Sequence, residues 1–376
     1  MIDSEIMVGS GLRITVAKDE LAAKLAVVAR GVSTRTAVLV LGGIQLRAEG
    51  SQLHLAATDM EVSLRASLDA QVSDEGTVVV PGRLLLEISR SLPDSDVAIE
   101  HHPDEAVVVV SAGTATYRLH TYSAEDFPRL PDVESVSLHG VDREALVETV
   151  NRVGRSASRD ESRPVLTGIL VRFEPGKVVM AATDSYRLAV KETRVEGTLP
   201  ELEAIIPARA LQELVRIASG ADEVQLGVLE NHVVFGADGT WLTTRRIDGQ
   251  FPNYRQLLPE QFEHELLMPR EELLDVVRRV SLMAQRNSSL RLRFAESELT
   301  VSAVTQDVGE ARESLPAPFS AEPLEIGFNA EFLRDGLDSV DSDSITFKLI
   351  SPLRPAVLEG DADDYVYLIM PIRLAG

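Results

Sequence analysis

The chain has 376 residues, a net charge of −22 at pH 7 and no cysteine. The lack of cysteine excludes disulfides, thiolate metal sites and cysteine nucleophiles together. No apolar run approaches the roughly 18 residues of a membrane-spanning helix, and the N-terminal residues contain no apolar signal region. We therefore expect a cytoplasmic protein with no membrane partner. The histidines are scattered, and only His101 and His102 are neighbours, so we expect no metal site.

Strand and helix patterns alternate along the first third of the chain. Period-two or β-branched runs predict strands at 12–17, 39–47, 51–57, 61–68, 76–81, 95–100, 106–111 and 115–121. Helical spacing predicts helices over 19–30 and 83–92. The segment is therefore two copies of strand, helix, strand, strand, strand. Sequential antiparallel strands with a helix on one face indicate an α+β domain.

Two later segments repeat the first at an interval close to a third of the chain. Leu21, Leu146 and Leu273 hold equivalent positions, and LHLAATDMEVSL in the first segment corresponds to VVMAATDSYRLAV in the second. Such an interval is too long for a solenoid repeat. We predict three tandem domains, each with two helices on antiparallel sheets, over residues 12–134, 135–262 and 263–376. Residues 1–11 precede them as a native extension or an added segment.

Arginines recur on one face of four predicted helices. The spacing i, i+7 is nearly two helical turns, so both members of a pair project from one side. The four pairs are Arg83 and Arg90, Arg152 and Arg159, Arg209 and Arg216, and Arg279 and Arg286. The pattern predicts contacts to DNA phosphates, and an ordinary solvated face is the alternative. Lys24, Arg35 and Arg155 complete the candidate set.

The sixth predicted helix departs from this pattern. Arg334 stands there among Glu331, Asp335, Asp338 and Asp341. The six helix segments together still carry a small net positive charge, whereas the whole chain carries −22. Because salt screens charges beyond about 8 to 10 Å, an acidic surface elsewhere leaves a basic helix face able to attract DNA.

Three motifs carry a resemblance to a known family. ATDSYRLAV, DGQFPNYRQLLP and the terminal YVYLIMPIRL are similar to those of the bacterial sliding clamps, the beta subunit family of DNA polymerase III. The resemblance spans residues 12 to 374. It implies a head-to-tail homodimer whose six domains close into a ring, with twelve helices lining the hole and no catalytic activity.

The same resemblance implies the partners. They are duplex DNA, encircled without sequence specificity, the alpha subunit of DNA polymerase III, a clamp loader that uses ATP, and other DNA polymerases and repair factors that carry short linear motifs. The chain has no GxxxxGK[ST] loop to bind ATP itself, and we expect no cofactor.

The family's peptide pocket lies between the second and third domains. Matching the motifs position by position assigns to it Arg163, Thr183, Tyr186, Arg187, Leu188, Pro252, Leu257, Asn329, Phe332, Leu353, Leu368, Ile369, Met370, Pro371, Ile372, Arg373 and Leu374. Apolar side chains suit an apolar peptide, and arginine and asparagine orient the polar groups of that peptide. For the tail, the alternative is a final strand packed on the third domain.

Several positions depart from the family pattern. Ser185 and Tyr186 stand where many members have glycine and histidine, and Gln256 where a second arginine occurs. Asp160, Pro164 and Val165 replace polar or aromatic residues of a loop that contacts DNA in some members, whereas Arg35 matches a contacting position. Ala375 and Gly376 extend beyond the usual end.

The resemblance also assigns a dimer interface. Tyr117 and Leu119 of the first domain and Ser281 and Leu282 of the third match interface positions, with core packing as the alternative for Leu119. Asp59 and Asp184 follow threonine in equivalent places of two repeats, so we predict turn or capping roles and no catalysis. The competing functions are an interdomain-cleft enzyme and a monomeric peptide-binding scaffold.

Overall fold

A unit of strand, helix, strand, strand, strand recurs six times along the chain in the computed structural model. The structure describes residues 11–33, 37–133, 135–196, 199–284, 289–305, 308–362 and 364–374. Each predicted domain contains two copies of the unit, as the sequence pattern indicates.

The elements have the following bounds. The first two units contain β1 (Arg13–Val16), α1 (Lys18–Val28), β2 (Gly43–Glu49), β3 (Gln52–Thr58), β4 (Val62–Asp69), β5 (Gln71–Asp74), β6 (Gly76–Pro81), α2 (Gly82–Ser91), β7 (Val97–His102), β8 (Val107–Ala112) and β9 (Ala115–His120). The next two contain β10 (Leu138–Asp142), α3 (Arg143–Gly154), α4 (Pro164–Thr167), β11 (Gly168–Glu174), β12 (Lys177–Thr183), β13 (Arg187–Arg194), β14 (Glu203–Pro207), α5 (Ala208–Ile217), β15 (Glu223–Val228), β16 (His232–Ala237) and β17 (Thr240–Arg245). The last two contain β18 (His264–Pro269), α6 (Arg270–Ser281), β19 (Ser289–Ala295), β20 (Glu298–Thr305), β21 (Gly309–Pro316), β22 (Leu324–Asn329), α7 (Ala330–Ser339), β23 (Ser344–Leu349), β24 (Ala356–Glu359) and β25 (Tyr365–Ile369). Single-turn 3₁₀ helices cover Ala29–Gly31, Leu39–Gly42, Pro103–Glu105, Ala124–Asp126, Ala218–Gly220 and Tyr254–Leu257.

The predicted strand over 39–47 is wrong in its first half. Leu39–Gly42 forms a 3₁₀ turn, and β2 begins only at Gly43. Val40 and Leu41 are buried in that turn beside Val79, so their apolar character reflects packing and not strand alternation. The short strand β5 was not expected from the pattern, because most of its residues are exposed.

One compact unit contains the chain up to Val141 together with Arg216–Arg246. Its eight-stranded sheet has the order β10-β15-β16-β17-β4-β3-β2-β6, and its five-stranded sheet the order β5-β1-β7-β8-β9. Strands β17 and β4 are antiparallel partners, with Leu242 opposite Leu64. The apolar faces of α1 and α2 are buried between these sheets, where Leu25 and Leu85 are fully enclosed. Burying such a side chain contributes about 1.5 to 3 kcal/mol.

The second compact unit contains Asp142–Val215 and the chain from Ile247 onward. Its sheets have the orders β14-β11-β12-β13-β25-β24-β23-β18 and β21-β20-β19-β22. Strands β13 and β25 pair antiparallel, with Leu188 opposite Leu368. Helix α3 packs on β13, and α6 packs against α7. All the candidate peptide-pocket residues belong to this unit.

The central predicted domain contributes to both compact units. The cause is the continuity of the sheets, because β17 joins β4 in one unit and β25 joins β13 in the other. The domain boundaries near residues 134 and 262 remain a prediction, and residue 134 lies outside the described residues.

Candidate functional site

The Thr-Asp sequence forms the same turn in two repeats. The Oδ1 atom of Asp184 accepts hydrogen bonds from the backbone nitrogens of Tyr186, at 2.9 Å, and Arg187, at 3.0 Å. Asp59 makes the equivalent pair of bonds with Glu61 and Val62. The side chain of each aspartate thus replaces a backbone acceptor, and the predicted turn role of both is confirmed. In the second repeat this turn leaves the Tyr186 side chain 61% exposed.

Arg187 follows that turn and is buried, with 6% of its side chain exposed. Its Nε donates to Asp184 Oδ2 at 3.1 Å, one terminal nitrogen donates to Asp335 Oδ2 at 2.5 Å, and the other donates to the Arg155 carbonyl at 2.5 Å. Its guanidinium also lies 4.3 Å from the centre of the Phe332 ring. Burial alone would lower the pKa of Arg187, but Tyr367, Asp335 and Asp184 together raise it above its ordinary value.

Two aromatic rings form the exposed side of this cluster. The rings of Tyr186 and Phe332 are stacked, with centroids 6.5 Å apart and planes at 28°. Asn329 caps α7 by accepting a hydrogen bond from the Phe332 nitrogen at 3.1 Å. The buried Tyr367 hydroxyl donates to the Phe332 carbonyl at 2.7 Å, and burial raises the pKa of that hydroxyl. Contacts to both its backbone and its ring therefore hold Phe332 in place.

The C-terminal tail crosses the same region. The Met370 nitrogen donates to the Tyr186 carbonyl at 2.8 Å, and the Ile372 nitrogen donates to the Gly327 carbonyl at 2.7 Å. A Cβ at position 327 would lie 2.8 Å from the Ile372 carbonyl oxygen, so β22 needs glycine there for the tail backbone to pack this closely. The tail therefore packs on the third repeat, while Met370 remains 39% exposed.

The predicted pocket residues fall into three groups by exposure. The exposed ones are Tyr186, Pro252, Leu257, Leu353, Met370 and Arg373. The half-buried ones are Arg163, Asn329, Phe332, Pro371, Ile372 and Leu374. The buried ones are Thr183, Arg187, Leu188, Leu368 and Ile369. Direct peptide contact by the buried group is not supported, because their side chains are enclosed in the peptide-free chain; Leu188 and Leu368, for example, pack in a core cluster with Phe251 and Tyr254.

Arg163 fixes the loop at the rim of this surface. It donates to Asp160 Oδ2 at 2.9 Å and to the Ser185 hydroxyl at 3.1 Å. Hydrogen bonds from Ser162, together with Arg163, lower the pKa of the exposed Asp160 carboxyl. Asp160, one of the departures from the family pattern, therefore organises the loop that holds Arg163.

The acidic residues of α7 pair with arginines at the end of α3. Arg152 contacts Glu148 at 2.8 Å and Asp341 at 2.7 Å. Arg155 contacts Asp338 at 3.3 Å and Asp335 at 3.9 Å. We call Arg152, Arg155, Arg187, Asp335, Asp338 and Asp341 the α3–α7 ion-pair network. The sequence prediction missed this network, although the acidic residues of the sixth predicted helix were its signal. Asp341 lies just after α7, which ends at Ser339.

These pairs correct part of the predicted DNA face. Only 14% of the Arg152 side chain is exposed, and its charge is matched by two carboxylates. Arg159 is not on the same helix face as Arg152, because α3 ends at Gly154. Arg279 makes a bidentate contact with Glu313, which raises the pKa of Arg279 and lowers that of Glu313.

Other candidate DNA contacts lie on the surface. Arg83 and Arg90 on α2, and Arg209 and Arg216 on α5, are exposed, while the apolar residues opposite each pair are buried. Lys24 is half-buried and donates to the Asp238 carbonyl at 3.5 Å. Arg35 and Arg286 lie outside the described residues.

The predicted dimer residues lie near two sheet edges. Tyr117 is 37% exposed on β9, the edge strand of the five-stranded sheet. Leu282 is 82% exposed just after α6, and the Ser281 hydroxyl donates to the Val277 carbonyl at 2.5 Å. Leu119 belongs to the core of its own domain, with 5% exposed. The core-packing alternative for Leu119 therefore replaces its interface assignment.

The described part of the chain holds no group of three or more histidine, cysteine or carboxylate residues placed to bind a metal. Within those same residues, no helix has both the length and the apolar character required to span a bilayer.

Comparison with known proteins identifies the family to which this fold belongs. The N-terminal, central and C-terminal domain models of the DNA polymerase III beta subunit match residues 12–131, 140–253 and 255–373. The beta sliding clamp of Streptomyces coelicolor is 36% identical over 97% of this chain and 100% of its own length. The beta sliding clamp of Synechococcus elongatus is 35% identical over 96% of this chain and 100% of its own length.

Solved structures agree with this match. A C. crescentus beta sliding clamp, with polyethylene glycol bound to its putative beta-motif tethering region, superposes with a TM-score of 0.92 at 28% identity, covering 97% of this chain and 99% of that one. A DNA polymerase sliding clamp from Bacillus subtilis superposes with a TM-score of 0.91 at 25% identity, covering 97% and 100%. The repeated fold therefore defines a DNA clamp, as the sequence resemblance predicted. The chain belongs to the DNA polymerase III beta subunit family of bacterial sliding clamps.

Proposed function

We propose that two copies of this chain form a head-to-tail ring that encircles duplex DNA without reading its sequence and tethers a polymerase to it. The observation that carries the proposal is the match of all three clamp domains in tandem along one chain. A tethered polymerase rebinds at high effective concentration instead of diffusing away, so synthesis becomes processive. The chain acts as a non-catalytic cytoplasmic factor without a cofactor.

Ring closure requires two different surfaces that meet between copies. Among the sheet edges of the described residues, β9 of the five-stranded sheet carries Tyr117, and β21 of the four-stranded sheet packs against α6, which ends at Ser281. Pairing β9 of one copy with β21 of the other satisfies both edges, which would otherwise remain templates for aggregation. Such a head-to-tail contact closes into a ring when its rotation permits. Tyr117 and Leu282 supply apolar surface near the two edges.

DNA is held mainly by phosphate contacts that carry no sequence information. Arg83, Arg90, Arg209 and Arg216 are exposed on their helices and supply the positive charge for these contacts. Arg279, Arg35 and Lys24 remain candidates. Arg152 and Arg155 contribute less, because carboxylates of the α3–α7 ion-pair network already compensate their charge.

The surface around Tyr186 and Phe332 binds short linear peptides. It combines stacked aromatic rings with the exposed side chains of Met370, Leu257 and Leu353. A flexible methionine adapts to several partners. The partners are the alpha subunit of DNA polymerase III, the clamp loader, and other polymerases and repair factors with such motifs.

Removal of the tail tests the peptide site and the dimer together. Deleting Met370 to Gly376 removes the Met370 contact to Tyr186 and uncovers Gly327. We expect a loss of binding to a polymerase-derived peptide in calorimetry and an unchanged dimer in sedimentation. Deleting only Ala375 and Gly376 is the matched control, since these two residues extend beyond the matched motif, and the peptide affinity of that variant should change little. Unchanged peptide affinity of the truncated chain contradicts the site. A monomer at all concentrations contradicts the ring and favours the monomeric scaffold.

A further inference from the structure

The acidity of the sixth helix has a local cause. Asp335 and Asp338 are three residues apart and lie near one side of α7, and Asp341 follows just after the helix, which ends at Ser339. Arg155 contacts Asp335 and Asp338, Arg152 contacts Asp341, and Arg278 of α6 contacts Asp338 at 2.8 Å. The helix therefore uses its carboxylates to fix its own position against α3 and α6.

Burial differs along this row of carboxylates. The Asp335 side chain is 16% exposed, Asp338 is 23% exposed and Asp341 is 79% exposed. Losing one partner of a buried ion pair is costly because it leaves an uncompensated charge, whereas an exposed pair contributes little. Among these three carboxylates, Asp335 is therefore the one whose removal most disturbs the arginine paired with it.

That partner is Arg187. All three guanidinium nitrogens donate to acceptors inside the protein, which are Asp184, Asp335 and the Arg155 carbonyl. Only 6% of the side chain is exposed, so the guanidinium presents almost none of its surface to a bound peptide. The guanidinium also interacts with the Tyr367 hydroxyl and lies 4.3 Å from the centre of the Phe332 ring, which stacks on Tyr186.

We propose that Arg187 is a positioning residue. The packing of α7 on α3 sets the position of its guanidinium, and the guanidinium in turn sets the positions of the Phe332 and Tyr186 rings at the peptide surface. Asp335 and the Arg155 carbonyl orient the guanidinium, the guanidinium orients the Phe332 ring, and that ring holds Tyr186. The side chain acts from beneath the surface and is not a peptide ligand. The inference rests on the proposed peptide-binding function of this surface.

The primary test compares substitutions of two aspartates of the α3–α7 ion-pair network. Asp335→Asn removes the charge that orients Arg187, and Asp341→Asn, the matched control, removes a charge that is paired only with Arg152 among the described ion pairs. Peptide affinity is measured by calorimetry. The position of the Tyr186 ring is measured in peptide-free protein by ¹⁹F NMR of fluorotyrosine introduced at residue 186, because its resonance reports stacking on Phe332.

Asp335→Asn should weaken the peptide Kd on the order of tenfold and move the Tyr186 resonance towards the value of an unstacked tyrosine. Asp341→Asn should leave both unchanged. In a Phe332→Leu background, Asp335→Asn should cause little further loss of affinity, because the ring through which it acts is gone. Equal affinity and an unmoved resonance in Asp335→Asn overturn the inference, as does full additivity of the two substitutions.

A second variant covers the case in which Asp335→Asn does not fold. Arg187→Lys keeps a cation beside Asp335 but loses the planar contact with Phe332 and the fork of donors. We expect its Tyr186 resonance to shift in the same direction, and an unshifted resonance overturns the inference. If the wild-type chain binds no peptide, the proposed function fails, whereas the resonance in peptide-free protein still decides the positioning role of Arg187.

Discussion

At the scale of single residues, Ser185 and Met60 occupy the same left-handed position in two copies of one turn. Their φ angles are 80° and 78°, and this region costs a residue with a side chain roughly 1 to 2 kcal/mol. Unlike a glycine, Ser185 accepts a side-chain hydrogen bond, from Arg163 at 3.1 Å. The serine therefore accepts backbone strain and gains a contact that fixes the rim of the peptide surface.

Two glycines with opposite backbone requirements provide a test at this scale. Gly154 ends α3, and an added Cβ would make an ordinary contact of 3.6 Å with Ile169. Alanine should therefore stabilise the protein by about 0.5 to 1 kcal/mol through helix propensity. Gly176 has a φ of +76°, so alanine should destabilise by about 1 kcal/mol there. Urea midpoints measure both changes. A lower midpoint for Gly154→Ala, or an unchanged one for Gly176→Ala, contradicts this account.

The sequence predicted the local turns of the site better than it predicted which side chains of the site are buried. The turn role of Asp59 and Asp184 is predictable because each aspartate bonds to nitrogens two and three residues away. The burial of Leu188 and Leu368 is not, because it depends on the pairing of β13 with β25, which are far apart in sequence. A motif match therefore assigns a region of the chain but cannot separate exposed residues from buried ones.

At the scale of elements, the helices show why the i, i+7 arginine pattern was only partly informative. Arg83 and Arg90 lie within α2 and are exposed. Arg152 follows the same spacing, but its partner Arg159 lies beyond the end of α3. Arg152 itself contacts Asp341, a residue of the third repeat, and no spacing within α3 predicts that contact. Helix boundaries and long-range ion pairs thus decide which arginines are available to DNA.

This difference predicts unequal effects on DNA binding. Replacing Arg83 and Arg90 with glutamine should make binding to a short duplex less dependent on salt. The slope of log K against log salt should become shallower by about 0.9 for each phosphate that the protein no longer neutralises. Arg152→Gln is the control and should leave the slope unchanged, because its charge is already matched by Glu148 and Asp341. NMR titrations at several salt concentrations give both slopes. A larger change for Arg152→Gln would assign the DNA face to α3.

At the scale of the whole molecule, the three sequence repeats are packed as two compact units. The repeat pattern was predictable because each domain copies one order of strands and helices. The division into units was not, because it follows from strand pairing between repeats, β4 with β17 and β13 with β25. The peptide surface belongs to the second unit, where α7 carries aspartates in place of the arginine pairs of other helices. The departure from repeat symmetry therefore coincides with the surface that we assign to partners.

The central claim is that the protein holds DNA by encircling it. The most direct test loads the protein onto nicked circular DNA with a clamp loader and then linearises the DNA with a restriction enzyme. A ring must slide off the free ends, so retention in gel filtration should be lost after cleavage and restored when bulky proteins block both ends. Retention on open-ended linear DNA equal to that on circular DNA would contradict encirclement and indicate an ordinary DNA-binding protein.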